Sequence, residues 1–228
     1  MPRRRTPTTN DMMTVFHRLL ATYGSRNWWP AETAFEMIAG AILTQNTSWR
    51  NVESALGRMR ACGLWSFDAV HQASDEALAD AVRPSGYYVT KARKLKEFAR
   101  VLMTEFDGEL ERMLELETVP LRERLLGIWG IGPETADCIV LYAAQKPSFV
   151  IDKYTMRIVD RLGWRSPGPG YADHQAMFQR LLPTDVAVYN EYHALLDRHA
   201  SLTCRARPVC AGCCLADLCA TGRTEATA

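Results

Sequence analysis

The sequence has no apolar run of the length that crosses a membrane, which is about 18 residues or more. The basic segment Pro2–Arg5 is followed by Thr-Pro-Thr-Thr-Asn instead of an apolar stretch, so no secretory signal is visible. We therefore expect an intracellular protein without a membrane partner.

The sequence also lacks an excess of either charge. Its 27 Lys and Arg residues are balanced by 26 Asp and Glu residues, so the whole chain presents almost no net field to a polyanion. A nucleic acid would have to bind at a local basic face, and the overall charge argues neither for nor against such a partner.

Regular alternation of apolar and polar residues, the pattern typical of β-strands, is missing too. Apolar residues recur instead at helical spacing, as at Met12, Phe16 and Leu19. A chain of 228 residues suffices for one large domain or two lobes. The sequence predicts an all-α fold, with helices at roughly 34–44, 75–82, 90–105, 110–115, 120–127, 134–144, 153–162, 173–182 and 186–200.

Cysteines are few outside one short segment. Cys62 and Cys138 lie in apolar segments, and we interpret both as thiols of the core. The other five of the seven cysteines crowd together near the end of the sequence: Cys204, Cys210, Cys213, Cys214 and Cys219. Four thiolates at this spacing suit a [4Fe–4S] cluster or a zinc site, with Cys213 and Cys214 as competing ligands. Disulfides are the alternative, which an intracellular location disfavours.

The segment LLGIWGIGPETADCIVLYA, residues 125–143, carries Gly130-Ile131-Gly132 between two helical patterns. The glycines permit a tight turn with positive φ, Ile131 can anchor the turn in the core, and Pro133 suits the first turn of the next helix. Backbone N–H groups exposed at that helix start could hold a phosphate. This motif alone is compatible with a plain helix–helix turn and with a DNA-binding hairpin.

Asp152 ends an apolar run, FVID, and precedes a helical pattern. An aspartate in this position is a common N-cap, worth about 1 kcal/mol to the helix. The same carboxylate would serve chemistry if it lay at the mouth of a cleft. The residue alone leaves both interpretations open.

The apolar segment FEMIAGAIL ends in three polar residues, Gln45, Asn46 and Thr47, and Trp49 follows closely. Polar side chains at the end of a buried helix must satisfy their hydrogen bonds. A polar turn beside a core tryptophan is the simple interpretation, and a ligand-contacting loop is the functional one.

These segments, in this order, resemble the helix-hairpin-helix (HhH-GPD) DNA glycosylase superfamily that contains endonuclease III, over about residues 12–220. Within it, five landmarks are similar to the 3-methyladenine DNA glycosylase III branch: Trp28-Trp29-Pro30, GAILTQNT at 40–47, VRPSGYYVTKARKL at 82–95, GIGPETAD at 130–137 and VIDKYT at 150–155. The resemblance implies a base-excision-repair enzyme that acts on double-stranded DNA containing damaged bases. We expect a monomer in the cytoplasm, at the nucleoid if the source is bacterial.

The resemblance also implies a fold with two helical lobes. Residues 33–147 would form a six-helix, barrel-like lobe that carries the hairpin, and residues 11–32 with 148–220 a second lobe that ends in an iron–sulfur loop at 204–219. Endonuclease III-like enzymes hold a [4Fe–4S] cluster in this loop, usually with six residues in the first gap, and this sequence has five. We prefer Cys213 to Cys214 as the third ligand because Cys214 would change two of the gaps.

The position of Glu134 predicts a monofunctional enzyme. Bifunctional members have a lysine two residues after the second glycine of the hairpin, which attacks the sugar C1′ and forms a Schiff base. Glu134 occupies that position here, and a carboxylate cannot form an imine. Lys153 is a substitute amine, but one helical step rotates a side chain by about 100° away from its neighbour.

Asp152 and Glu134 are the residues to which the resemblance gives catalytic roles. An ionised Asp152 would stabilise positive charge on the deoxyribose and orient or deprotonate the attacking water. Glu134 would lie near the pocket, or would be a solvated acid that the helix dipole favours.

The resemblance assigns further residues to the extruded nucleotide and the duplex. Gln45 and Asn46 would fill the space that the nucleotide leaves, and Tyr87 would be the wedge. The pocket for an alkylated, cationic purine, which aromatic faces attract, would consist of Trp28, Trp29, Pro30 and Trp49. Backbone contacts are expected from Gly130, Ile131 and Gly132 and from the basic residues Lys91, Arg93, Lys94 and Lys96.

Two other functions remain open. One is an endonuclease III-like glycosylase and AP lyase for oxidised pyrimidines, against which Glu134 argues. The other is a DNA-binding homologue without catalysis, against which Asp152 argues.

Overall fold

Helices account for most of the computed structural model, which describes residues 4–26 and 31–225. Within these ranges no strand occurs, and the backbone pairing outside helices includes one isolated bridge between Arg5 and Trp164. The all-α prediction is confirmed. None of the helices in the described ranges is both long and apolar enough to span a membrane.

The helices are short and follow each other closely. In the described part of the chain the thirteen α-helices are α1 Thr9–Tyr23, α2 Ala34–Leu43, α3 Trp49–Ala61, α4 Phe67–Gln72, α5 Asp75–Ala81, α6 Tyr88–Phe106, α7 Leu110–Glu115, α8 Thr118–Leu126, α9 Pro133–Cys138, α10 Lys153–Leu162, α11 Tyr171–Leu181, α12 Val186–Leu202 and α13 Ala220–Glu225. A 3₁₀ turn, Arg83–Ser85, precedes α6, and a π-helix, Ile139–Ala143, continues α9.

Contacts divide the chain into two compact units. The hairpin unit is Trp29–Lys146, and the cysteine-loop unit comprises the chain up to Trp28 together with Pro147–Ala228. The sequence analysis places the corresponding boundaries at 32–33 and 147–148. The hairpin and the end of α2 belong to the first unit, and Asp152 and the clustered cysteines belong to the second.

Helix α2 forms the centre of the hairpin unit because it is apolar around its whole circumference. Ile38 and Ile42 are completely buried, and α2 packs against α3, α6 and α9. Phe98 of α6 contributes an aromatic contact at 4.6 Å between ring centroids with Phe67 of α4. These contacts fix the end of α2 against α6 and the hairpin.

Helix α12 forms the centre of the cysteine-loop unit, where it packs against α1 and α10. Its fully buried Tyr192 donates a hydrogen bond from its hydroxyl to the carbonyl of Met12 at 3.0 Å. Phe149 and Phe178 stack beside it with centroids 4.4 Å apart. This packing holds α12 beside the start of α10, where Asp152 lies.

Only one of the two expected core thiols is in the core. Cys138 is buried, but Cys62 is exposed, so our interpretation of Cys62 is wrong. Helix α3 ends at Ala61, and the chain turns at Gly63 with φ +72°. The buried stripe through Val52 and Met59 therefore stops before it reaches Cys62.

Candidate functional site

The loop after α2 displays its polar residues at the surface of the hairpin unit. Helix α2 ends at Leu43, and the Thr47 N–H donates to the Thr44 carbonyl at 3.2 Å, which closes a turn. Asn46 adopts a left-handed conformation with φ +55° and is exposed, whereas Gln45 is half-buried. Asparagine is among the residues that tolerate this conformation best.

The Gln45 amide is held by two side chains from other elements. Lys94 of α6 donates from Nζ to Gln45 Oε1, and Gln45 Nε2 donates to Thr135 Oγ1 of α9 at 3.0 Å. Burial lowers the pKa of Lys94. Gln45, a loop residue expected to enter DNA, is thus hydrogen-bonded to α6 and to α9, the second helix of the hairpin.

Lys91 does not lie where a phosphate could reach it. Its side chain is only 2% exposed, and Nζ donates to the carbonyls of Leu43 at 2.8 Å and Ser85 at 2.6 Å. Burial, together with the charge of Lys94, lowers the pKa of Lys91 to about 8. The expectation that Lys91 contacts DNA is therefore wrong, because its ammonium caps backbone carbonyls inside the unit.

The hairpin has the turn that its glycines predict. Gly130 has φ +86°, and the Ile131 N–H donates to the Ile128 carbonyl at 3.1 Å. Ile131 is buried, while Gly132 is exposed at the start of α9, with nothing within 4 Å of the position that a Cβ would occupy. The backbone there is open to a large ligand.

Glu134 lies in the first turn of α9 and is exposed. This position suits a carboxylate because the helix dipole is positive at its start. Glu134 belongs to the hairpin unit, and Asp152, the other expected catalytic residue, to the cysteine-loop unit.

Two aromatic side chains of the hairpin unit are exposed, one just before α6 and one on the hairpin. Tyr87, the expected wedge, is 74% exposed and takes a left-handed conformation immediately before α6. Trp129 is 45% exposed, and the guanidinium of Arg93 lies 3.9 Å from its ring centroid. The sequence analysis missed Trp129, whose exposure on a hairpin beside an arginine is compatible with contact to DNA.

Trp49 lines an open groove on the hairpin unit. Its Nε1 donates to Glu53 Oε1 at 3.0 Å, one turn further along α3. Trp65 forms another wall, with the guanidinium of Arg60 4.2 Å from its ring centroid. Trp28, Trp29 and Pro30, the other expected pocket residues, lie outside the described residues.

Asp152 is the N-cap of α10. Its Oδ1 accepts the Thr155 N–H at 2.6 Å, and its Oδ2 lies 4.0 Å from His193 Nε2 of α12, with 13% of the Asp152 side chain exposed. Burial raises the pKa of Asp197, one turn after His193, and Asp152 raises it further while His193 opposes the shift. One carboxylate oxygen of Asp152 thus accepts a backbone hydrogen bond, and the other faces the imidazole of His193, which was not predicted from the sequence.

Four cysteines surround one cavity in the cysteine-loop unit. Its wall includes the apolar residues Ile158 and Leu215, and its thiols come from Cys204, Cys210, Cys213 and Cys219. Arg161 donates to the Cys204 sulfur at 3.2 Å, which places a positive charge beside that sulfur. These four cysteines are the ones expected from spacing.

Cys214 is not among the residues that line this cavity. Its carbonyl accepts a hydrogen bond from Arg18 Nη1 at 3.2 Å. In the described ranges, no three His, Cys, Asp or Glu side chains converge closely enough to hold a single metal ion. Four cysteine thiols are a ligand set of [4Fe–4S] clusters and of structural zinc sites alike.

Residues 39–184 match the family model described as HhH-GPD superfamily base excision DNA repair protein. A candidate DNA repair glycosylase of Methanocaldococcus jannaschii is 40% identical over 207 residues, which cover 90% of this chain and 94% of that protein. Endonuclease III of Sulfolobus acidocaldarius is 30% identical over 187 residues, or 81% of each protein.

Solved structures agree on the fold. An endonuclease III structure in a non-covalent DNA complex matches with a TM-score of 0.84 at 19% identity, covering 98% of this chain and 100% of that one. The 3-methyladenine DNA glycosylase of H. pylori, bound to 1,N6-ethenoadenine, matches with a TM-score of 0.74 at 25% identity, covering 86% of this chain and 98% of that one. The expected helix-hairpin-helix fold is confirmed.

Proposed function

Because the chain belongs to the HhH-GPD superfamily of base excision DNA repair proteins, we propose that this DNA glycosylase is monofunctional and removes alkylated purines such as 3-methyladenine. The observation that carries the proposal is Glu134, which stands in the first turn of α9 where the resemblance places the lysine of bifunctional members. Without that amine, hydrolysis ends at an abasic site and no Schiff base forms.

Asp152 is the residue that we assign to bond cleavage. Its carboxylate is held by the Thr155 N–H, so its orientation does not depend on the substrate. The charge on Oδ2 would stabilise the cation that develops at C1′ and would accept a proton from the attacking water. An N3-alkylated purine is already cationic and leaves as a neutral base, so a strong general acid is unnecessary.

Trp49 supports the preference for a cationic base. An indole face attracts a cation by about 0.5–2 kcal/mol, and the hydrogen bond from its Nε1 to Glu53 fixes the plane of the ring. The carboxylate of Glu53 adds negative potential at the edge of the same ring. Trp28, Trp29 and Pro30 remain predicted members of this pocket.

The contacts to the duplex are assigned to exposed parts of the hairpin unit. Gln45 and Asn46 would occupy the space left by the extruded nucleotide, and Tyr87 would enter the stack beside it. The hairpin backbone from Gly130 to Gly132 would contact phosphates, supported by the open space at Gly132. We propose that one copy of the enzyme acts on DNA, in the cytoplasm or at the nucleoid.

We further propose that a [4Fe–4S] cluster is bound by four cysteines, namely Cys204, Cys210, Cys213 and Cys219. The shared cavity and the apolar wall support this assignment. When bound, the cluster would cross-link the loop through four iron–thiolate bonds. Arg161 would then balance part of the negative charge of the ligands, since it already donates to the Cys204 sulfur.

A second candidate function is cleavage at oxidised pyrimidines with AP lyase activity, which the 30% identity to an endonuclease III favours. One assay separates the candidates. Duplexes that contain 3-methyladenine, thymine glycol or an abasic site are incubated with the protein, and base release, strand nicking and borohydride trapping are measured.

Release of 3-methyladenine without nicking or trapping would support our proposal. Trapping would support the lyase, and a Lys153→Ala variant would then show whether Lys153 supplies the amine. Binding without release of any base would indicate a homologue that has lost catalysis. In the Asp152→Asn variant we expect release to slow by about 100-fold or more.

A further inference from the structure

Lys94 connects three elements of the hairpin unit through one extended side chain. A Cβ on Gly130 would lie 2.5 Å from Lys94 Cγ and 2.9 Å from Cδ and Cε, so the lysine stem lies directly on the glycine of the hairpin. Beyond the hairpin, Nζ reaches Gln45 Oε1 at the end of α2. The Lys94 side chain can extend over the hairpin to Gln45 because residue 130 has no side chain.

The chemistry of the two partners fixes which way the Gln45 amide faces. An ammonium only donates hydrogen bonds, so the atom that meets Lys94 must be the carbonyl oxygen. The amide nitrogen then faces Thr135 Oγ1, which accepts at 3.0 Å. Thr135 is 6% exposed and cannot move aside easily. The ambiguity that normally affects glutamine amides is therefore removed.

The fixed amide keeps one donor and one acceptor for a further partner. An amide offers two N–H donors and two acceptor lone pairs, and Lys94 and Thr135 use one of each kind. Thymine and cytosine present their pairing edges in opposite order, since thymine has O4 as acceptor beside the N3–H donor and cytosine has an amino donor beside the N3 acceptor. At this part of the edge, between the exocyclic group at C4 and N3, a free amide can flip to suit either base, whereas an amide fixed in place suits only one of them.

We propose that Lys94 is a positioning residue that sets the polarity of the Gln45 amide and thereby makes the enzyme discriminate between thymine and cytosine opposite the extruded nucleotide. This inference rests on the proposed insertion of Gln45 into the duplex. Lys94 acts through Gln45 and has no direct part in bond cleavage.

The test measures binding to duplexes that carry a stable tetrahydrofuran abasic analogue opposite thymine or cytosine. Each mismatched hydrogen-bonding pair costs the wild type about tenfold in affinity. We expect the ratio of the two dissociation constants to fall towards one in Lys94→Met, which keeps the stem over Gly130 but lacks the ammonium. Thr135→Val removes the other contact but leaves the ammonium that sets the polarity, so it should keep the ratio.

Two variants serve as controls. Lys94→Arg keeps a donor-only cation and should preserve the ratio if it folds. Arg100→Met removes a cation of the same helix that pairs with Glu97 at 3.0 Å, and it should leave the ratio unchanged. Thermal midpoints verify that each variant is folded, and Lys94→Gln, whose amide can either donate or accept, carries the test if Lys94→Met is not folded.

The results distinguish this inference from the proposed function. The inference is supported if the ratio of the two dissociation constants falls towards one in Lys94→Met and is kept in Thr135→Val and Arg100→Met. An unchanged ratio in folded Lys94→Met, or a wild-type ratio near one, overturns it. The abasic analogue contains no base to release, so failure to release 3-methyladenine would count against the substrate assignment and not against Lys94.

Discussion

The ion pair between Arg122 and Asp137 joins the two helices that flank the hairpin. Arg122 of α8 donates from Nε at 2.7 Å and from Nη2 at 3.1 Å to the two carboxylate oxygens of Asp137 in α9. The Asp137 side chain is 0% exposed and that of Arg122 is 28% exposed. We predict that breaking this pair destabilises the protein more than the loss of any surface pair does.

The loss of folding free energy depends on which of the two charges remains in the variant. Arg122→Met leaves a carboxylate without its counter-charge in a site closed to water, which costs about 3–5 kcal/mol. Asp137→Asn leaves the guanidinium, which is partly exposed and can be hydrated, so its cost should lie near the lower end of that range. At about 2–4 °C per kcal/mol for a chain of this size, Arg122→Met should lower the thermal midpoint by roughly 6–20 °C.

Thermal unfolding followed by circular dichroism provides the assay, and Asp80→Asn is the matched control. Asp80 pairs with Arg58 at 2.7 Å, but the side chains are 62% and 42% exposed. Removing an exposed pair costs about 1 kcal/mol or less. If Arg122→Met lowered the midpoint no further than Asp80→Asn does, the reasoning from burial would be refuted.

A double variant tests the same reasoning from the opposite side. Arg122→Met combined with Asp137→Leu removes both charges and leaves no buried ion. Replacement of buried ion pairs by apolar side chains is often neutral or stabilising. The double variant should therefore melt above Arg122→Met, and equal or lower midpoints would show that shape, not charge, dominates at this site.

Three further predictions concern a buried lysine, the cysteine loop and the hairpin acid. Burial lowers the pKa of Lys91 from 10.5 to about 8, so between these pH values the unfolded chain binds more protons than the folded protein. The free energy of unfolding of the wild type should therefore rise with pH in this range relative to that of Lys91→Met. A constant difference between the urea midpoints of the two proteins across this range would contradict the prediction. The visible absorbance that the proposed cluster would give the protein should be lost in Cys213→Ser and kept in Cys214→Ser, since Cys213 lines the cavity and Cys214 does not. Glu134→Lys should gain borohydride-trapped complexes that the wild type lacks.

Local patterns were sufficient for most of the helices, although α4 and α13 were not predicted from the sequence. For α10, the apolar spacing predicts residues 153–162, and the observed helix is Lys153–Leu162. It starts at the capping Asp152 and ends at Gly163, which has φ +75°. Both signals lie within a few residues of the helix, so the sequence specifies its ends without reference to the rest of the fold.

Residue type misled the sequence analysis at Lys91. A lysine beside an expected wedge suggests a surface contact, but Lys91 shares the buried stripe of α6 with Leu95, Phe98 and Leu102. The helical spacing of α6 therefore predicts correctly that Lys91 is buried. Burial was not expected because lysines are rarely buried unless their charge is paired. The groups that bind the ammonium, the carbonyls of Leu43 and Ser85, lie outside α6 and cannot be identified from its sequence.

Contacts between distant segments could not be predicted in this way. His193 is adjacent to Asp152 only because α12 packs on α10, and no pattern near either residue indicates the pairing. The same holds for Gln45 and Thr135, which meet because α2 packs against α9. One sequence contains helical periods, but it does not reveal which helix faces which.

Asp152 shows that the structural and the chemical interpretation of one residue are compatible. Its Oδ1 caps α10 through the Thr155 N–H, and Oδ2, which lies 4.0 Å from His193, is not needed for the cap. Asparagine caps helices about as well as aspartate, so Asp152→Asn should keep the stability within a few tenths of a kcal/mol, whereas Asp152→Ala should cost about 1 kcal/mol. Slow base release from an Asn variant that melts with the wild type would therefore report chemistry. If the Asn variant were as unstable as the Ala variant, slow release would report the lost cap.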